Sequence, residues 1–266
     1  ILAEPTAIVS LDSLRAAMYL AEMEASTAKP DPMRTLFWGA SEGGFAALWA
    51  DRYQARYAPE LHTLGVVAAI PPTNIQSLAQ LATSTPSEST AALAAILIGM
   101  DQWYEYHDLN GVLNADIVDI LPLEMMEGCS NFPSVSERDE ITDFFNESFV
   151  SSASSGHWKS IAPWGCFLEE SSLTPSRIHY ESETPVLIIT AEEDELAWPG
   201  PVHEDISDLC DLGYDIEHLQ CANANHVSGG VDTLPYQLSW LRDRINGVDP
   251  NTDCIVSEPT DCDVWQ

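Results

Sequence analysis

Three stretches of the chain carry apolar residues on consecutive positions and run into turn-forming or charged residues: Met33 to Trp38, through Leu36, Phe37 and Trp38, then Leu64 to Ile70 and Pro185 to Thr190. Such runs suit strands buried on both faces of a parallel sheet, whose members need long crossover connections. A shorter segment, 215–220, reads as a fourth strand. Between them the apolar positions take helical spacing. Leu11, Leu14, Met18 and Ala21 predict a helix over Ser10 to about Glu24, with Pro30 as a stop. A second helix is expected from the glycines after Trp38 to about Tyr57, and others near 203–212 and 232–246. Residues 73–182 break this rhythm. They open with a Ser/Thr-rich piece, Ala82 to Thr90, followed by the apolar helix AALAAILIGMDQWYEY and later by DEITDFFNESFVSS, which predicts another amphipathic helix. The pattern predicts an α/β fold with a mostly parallel sheet, helices on both faces and a helical insertion. No internal repeat is visible.

Chemistry enters at the first strand end. LFWGASEGGFAALWA passes from an apolar run through Gly39-Ala40-Ser41-Glu42-Gly43 into an alanine-rich helix. A serine hydroxyl is a weak nucleophile and must project clear of its backbone to meet a base and a carbonyl carbon. A sharp strand-turn-helix bend does this, and glycines at 39 and 43 fit its crowded flanks, as in the G-x-S-x-G elbow. The following helix aims its N-terminus at the serine, so the Glu42 backbone N–H is a candidate oxyanion donor. A glycine-rich loop that happens to hold a serine is the plainer reading, and the strand-before, helix-after context weighs against it.

An elbow serine is followed in chain order by an acid and then a histidine. The strand PVLIIT opens into Glu192, Glu193, Asp194 and Glu195, of which Asp194, the short carboxylate before Pro199, is the expected acid and the others bystanders. Glu193 is the next choice. His226 alone among seven histidines follows a strand into a small-residue loop downstream of that acid. His218 lies within the strand pattern and reads as structural; His62, His107, His157, His179 and His203 read as surface or packing residues. In this scheme Ser41 is the nucleophile, His226 its base, and Asp194 the group that orients His226.

With those residues placed, a resemblance appears. The elbow helix FAALWADRYQARYAPEL, the strand LGVVAAIPP, the acid loop and NHVSGG followed by LPYQLSWLRDRINGVDP resemble the secretory lipases, over most of residues 5–254 and weakly between about 80 and 180. The resemblance implies an α/β-hydrolase fold, ester hydrolysis and a Ser-Asp-His triad that falls on Ser41, Asp194 and His226. Two departures stand out. Glycines are expected where Ala69 and Ile70 precede Pro71-Pro72. The family pattern also places several strands before the elbow strand, and one of their loops supplies the second oxyanion donor. Here about 32 residues precede Met33. The expectation is a core (1–72 and 183–247) lacking those N-terminal strands, completed by a further segment or a second chain, with Met33–Trp38 at an open sheet edge.

Composition narrows the setting. The 266 residues fit one α/β domain with an insertion. No stretch of 18 apolar residues predicts a membrane span, and Ile1-Leu2-Ala3-Glu4 does not read as a signal peptide. Six cysteines suggest disulfides and a secreted protein. A metal site is the competing reading, but no C-x-x-C or H-x-x-x-H spacing supports it. Cys129 and Cys166 are expected to pair within the insertion. A Cys210–Cys221 bridge looks strained, because the strand ending at Cys221 climbs roughly 20 Å from the helix that ends near Cys210. Cys254 and Cys262 are instead expected to clip the tail, 248–266, to the body, with Cys210–Cys254 the favoured bridge. Ten basic against 42 acidic residues leave a net charge of −32, which repels nucleic acid and anionic membranes. It fits either a salty habitat or a merely acidic exported protein. Asp249 to Asp253 begins like a calcium loop but lacks the glycine and closing glutamate of one.

The insertion is expected to act as a lid, with Leu93, Ile96, Leu97, Met100, Trp103 and Tyr104 as candidate acyl-pocket residues unless they simply pack it. The composite expectation is a secreted serine esterase or lipase acting on a small-molecule or lipid ester without metal or organic cofactor. The alternatives are a serine peptidase or other acyl-transfer hydrolase, and a silent hydrolase-like binding protein.

Overall fold

Four parallel strands lie side by side in chain order: β1 (Thr35–Ala40), β2 (Thr63–Ala69), β3 (Pro185–Ala191) and β4 (Asp215–Cys221). The computed structural model describes residues 1–24, 27–127 and 138–262. It divides into two units, Ala3–Asn74 with Leu173–Gln266, and Ile75–Ser172.

In the first unit, β2 and β3 are buried along almost their whole length, which is why they read as unbroken apolar runs. The crossover from β1 to β2 is α2 (Glu42–Tyr57), where Phe45, Leu48, Trp49 and Ala50 are fully buried. Against it lies α1 (Ala3–Met23), which starts seven residues before its expected beginning. Its buried stripe runs through Ala3, Ala7 and Leu11 at i, i+4, i+8, so Leu14 and Met18 are only half-buried. Tyr57 donates to Asp12 at 2.9 Å, joining the two helices at the surface, and Arg15 donates to Glu60 just past the end of α2 at 2.6 Å. α8 (Pro199–Asp211), α9 (His226–Val231) and α10 (Leu234–Ile245) complete this unit, which is an α/β fold.

The two sheet edges differ. Along β4 runs the tail: Cys254 N–H donates to Ile216 O, Thr260 N–H to Gln220 O and Ala222 N–H to Thr260 O. Disulfides Cys210–Cys254 and Cys221–Cys262 fasten it, so both tail cysteines clip onto the body. Beyond β1 no strand pairs among the described residues. Trp38, which the apolar run suggested was buried in mid-sheet, is 49 % exposed on that edge, and its indole donates to Gln237 Oε1 at 2.7 Å.

The second unit is helical: α3 (Ile75–Ala82), α4 (Glu88–Tyr104), α5 (Ala115–Glu127), α6 (Glu147–Ser155) and α7 (Trp164–Glu170). Leu93, Leu97 and Met100 of α4 are fully buried and Ile96 nearly so; Trp103 is exposed and Tyr104 stacks on Phe167 at 4.0 Å. DEITDFFNESFVSS is not one helix. Ile141–Asp143 forms a single tight turn and α6 starts only at Glu147. The cause is tertiary. Leu113 and Phe145 form an antiparallel bridge, with Asn114 N–H donating to Phe144 O and Asn146 N–H to Val112 O, so these backbone groups are taken from a helix. The expected Cys129–Cys166 bridge involves a residue outside those described.

Candidate active site

Ser41 stands between β1 and α2 at φ 55°, ψ −121°. Positive φ in a non-glycine residue costs about 1–3 kcal/mol and persists only where the surroundings impose it. Three contacts impose it here. Ser41 N–H donates to Ala69 O at 2.9 Å, Phe45 N–H returns to Ser41 O at 3.0 Å, and the chain folds so tightly that a methyl on Gly39 would lie 2.1 Å from the Gly43 carbonyl oxygen. The two motif glycines therefore differ, and only the first fits the expectation of a crowded flank. Gly39 is required by this close approach, whereas a side chain on Gly43 would meet open space; Gly44, outside the motif, is the second crowded position, 3.0 Å from Ala69 O.

The acid loop leaves β3 at Ala191. Asp194 is buried, 5 % exposed, and its Oδ1 accepts the N–H groups of Leu196 at 2.9 Å and Ala197 at 2.8 Å. Both carboxylate oxygens also face His226 Nδ1, at 2.8 and 2.9 Å. On the far side of the ring, His226 Nε2 lies 2.8 Å from Ser41 Oγ. The structure thus brings Ser41, His226 and Asp194, which are distant in sequence, into one hydrogen-bonded line. With Nδ1–H donated to the carboxylate, Nε2 is left to accept the serine proton, which is the tautomer a general base needs.

His226 is the first residue of α9, not part of a loop. Asn225 caps this helix, its Oδ1 accepting Ser228 N–H at 2.9 Å while Ser228 Oγ accepts Asn225 N–H at 2.9 Å. Gly229 and Gly230 lower helix propensity, and packing explains them: a methyl on Gly229 would sit 2.5 Å from Ala191 Cβ. The neighbours of Asp194 are also less idle than expected. Glu195 Oε2 accepts the His226 N–H at 3.1 Å, and Glu192 Oε2 accepts the N–H of Asn223, which has φ 54°. Both carboxylates hold the backbone that carries the histidine. The sequence pattern held a signal for this in the capping pair N-x-x-S and in the reach of glutamate relative to aspartate.

Among the other histidines, His218 is buried with Nδ1 accepting the Ser257 N–H at 3.0 Å and Nε2 facing Thr190 Oγ1 at 3.0 Å. His203 reaches the same hydroxyl at 3.1 Å. Both serve packing. Glu42 opens α2, so its N–H has no intrahelical acceptor and is available to a ligand oxygen. No cluster of three or more His, Cys, Asp or Glu side chains able to hold a metal occurs among the described residues, and no helix among them is long and apolar enough to cross a membrane.

A family model described as secretory lipase matches residues 4–253. Lipase A of Arthroderma benhamiae is 25 % identical over 252 residues, covering 93 % of this chain and 50 % of the relative. Secreted triacylglycerol lipase LIP3 of Malassezia globosa is 25 % identical, covering 90 % of this chain and 51 % of its own length. The chain spans about half the length of the curated relatives it matches. Among solved structures, Candida antarctica lipase A in its closed state superposes with a TM-score of 0.72 at 18 % identity, over 94 % of this chain and 56 % of that one. A rice cell wall degrading esterase, LipA from Xanthomonas oryzae, gives 0.62 at 14 % identity, over 88 % and 62 %. These likenesses show the α/β-hydrolase fold.

Proposed function

Because the chain belongs to the secretory lipase family, we propose that it is the catalytic part of an exported serine hydrolase that cleaves carboxylic esters. The observation that carries the reading is the unbroken line Ser41 Oγ–His226 Nε2, His226 Nδ1–Asp194, with distances of 2.8 Å at each junction. Ser41 attacks the ester carbonyl carbon while its proton passes to His226 Nε2. The oxyanion is met by the Glu42 N–H at the start of α2. His226 then gives the proton to the leaving alcohol, and the acyl group remains on Ser41. Water repeats the sequence, losing a proton to His226, and releases the acid. Asp194 keeps the imidazole in its working tautomer throughout.

Relatives named as secreted lipases and two disulfides support an extracellular setting and a lipid or small-molecule ester substrate. The open edge of β1 supports completion of the sheet by polypeptide beyond these residues.

The test is Ser41→Ala. It is expected to remove p-nitrophenyl ester hydrolysis by a factor of roughly 10³ or more and to abolish labelling by a fluorophosphonate, with circular dichroism unchanged. Near-native turnover in Ser41→Ala would exclude this mechanism. A panel of esters of rising chain length then separates esterase from lipase.

A further inference from the structure

One residue outside the hydrogen-bonded line stands between the elbow that carries Ser41 and the helix that begins with His226. Ile70 follows β2 at φ 46°, a conformation that β-branched side chains rarely adopt, and it stands before Pro71, which narrows its backbone choices further. Its N–H donates to Ile189 O at 2.7 Å, and the carbonyl just before it, Ala69 O, receives the Ser41 N–H at 2.9 Å. Its backbone is thus tied to the elbow. Its side chain, 4 % exposed, lies against the helix that begins with His226: a methyl on Gly229 would be 3.1 Å from Ile70 Cγ2, and one on Gly230 would be 3.1 Å from Ile70 Cδ1. A glycine at position 70 would take this backbone without strain. What a glycine lacks is the branched side chain that fills the gap between β2 and α9.

We propose that Ile70 is a positioning residue: its side chain sets the height of α9 against the elbow and so holds His226 Nε2 at reacting distance from Ser41 Oγ. The inference rests on the hydrolase reading above. A histidine displaced by about an ångström still lets substrate bind but takes the serine proton poorly, so the effect belongs in kcat and not in KM.

The experiment uses the full-length protein and two readouts, steady-state hydrolysis of a short p-nitrophenyl ester and the rate of fluorophosphonate labelling at Ser41. Ile70→Gly is expected to lower kcat and the labelling rate by roughly tenfold to a hundredfold with KM within about twofold. Ile70→Val, which keeps Cγ2, is expected to retain most of both rates. Gly230→Ala, which crowds Ile70 Cδ1, is expected to lower kcat, and Gly230→Ala with Ile70→Val to recover most of that loss by making room. Native kcat in Ile70→Gly would overturn the inference while leaving the hydrolase reading intact. If Ile70→Gly fails to fold, the second pair decides: native kcat in Gly230→Ala, or a loss that Ile70→Val does not repair, overturns it. Absence of Ser41 labelling in the unmodified protein would overturn the hydrolase reading and this inference together.

Discussion

At the scale of single residues, four consecutive carboxylates share one loop, and geometry separates their tasks. Only Asp194 reaches the ring of His226; Glu192 and Glu195 grip the backbone on either side of Asn225, and the Glu193 side chain does neither. Asp194→Asn is therefore expected to reduce kcat by roughly 10³–10⁴, because an amide there turns the imidazole to the wrong tautomer, whereas Glu193→Gln leaves it within a few-fold. A larger loss in Glu193→Gln would move the acid role. Two buried titrating groups shape stability instead. Burial pushes the Asp51 carboxyl up to about 6, against the opposing hydroxyls of Thr184, Ser182 and Tyr180. Burial, with His203 adding to it, pushes His218 down to about 3. The folded state binds more protons at Asp51 than the unfolded chain between about pH 4 and 6, so this group's stabilisation is present in acid and lost as pH rises through 6. His218 has the opposite sign: its folded form resists protonation, so stability is lost as pH falls below 6.5 towards 3. The His218 shift is larger, on the order of 5 kcal/mol against 3, so the summed contribution of these two groups falls on acidification. Asp51→Asn is expected to steepen that dependence, gaining up to about 3 kcal/mol relative to the native protein between pH 4 and 7 in urea titrations. Parallel curves for the two proteins would refute the Asp51 assignment.

At the scale of elements, the tail is the clearest case of a segment held by several independent devices. It runs beside β4, accepts and donates backbone hydrogen bonds there, gives its Ser257 N–H to His218, and is fastened at two points by disulfides that close segments of 44 and 41 residues. This covers an edge that would otherwise invite strand addition. Loop-closure entropy for such lengths is about 4 kcal/mol per bridge. Replacing Cys221 and Cys262 together by alanine is expected to lower Tm by roughly 10 °C. Because Cys221 O also accepts the N–H of Glu192, at the root of the acid loop, a drop in kcat should accompany the loss of stability. Differential scanning calorimetry and ester kinetics on the same variant check both.

At the scale of the whole molecule, a net charge of −32 with ten basic side chains means that most carboxylates have no cationic partner. Arg15 with Asp12 and Glu60, and Arg138 with Asp116, account for much of the pairing among the described residues. Unscreened self-repulsion of this size opposes the compact state, and salt shortens its range to about 3 Å at 1 M. Tm is expected to rise continuously from low to molar sodium chloride. A melting temperature independent of salt would mean that the acidic surface is spaced widely enough to carry no such penalty.

The sequence by itself determined the elements whose signal is local: strands buried on both faces, the bend at Gly39-Ala40-Ser41, and an acid and a histidine at successive strand ends. Each follows from backbone sterics or from burial of a contiguous run. Tertiary structure decided what depends on partners far along the chain. It broke the segment around Phe145 by pairing it with Leu113, and it made α9 helical despite two glycines by packing them on Ala191 and Ile70. It also left Trp38 exposed because nothing among the described residues pairs beyond β1. Glu192 and Glu195 look identical to Glu193 in sequence, and only the position of the histidine backbone across the loop gives two of them hydrogen bonds to hold. Periodicity reports which face of an element is buried; it does not report what the element is buried against.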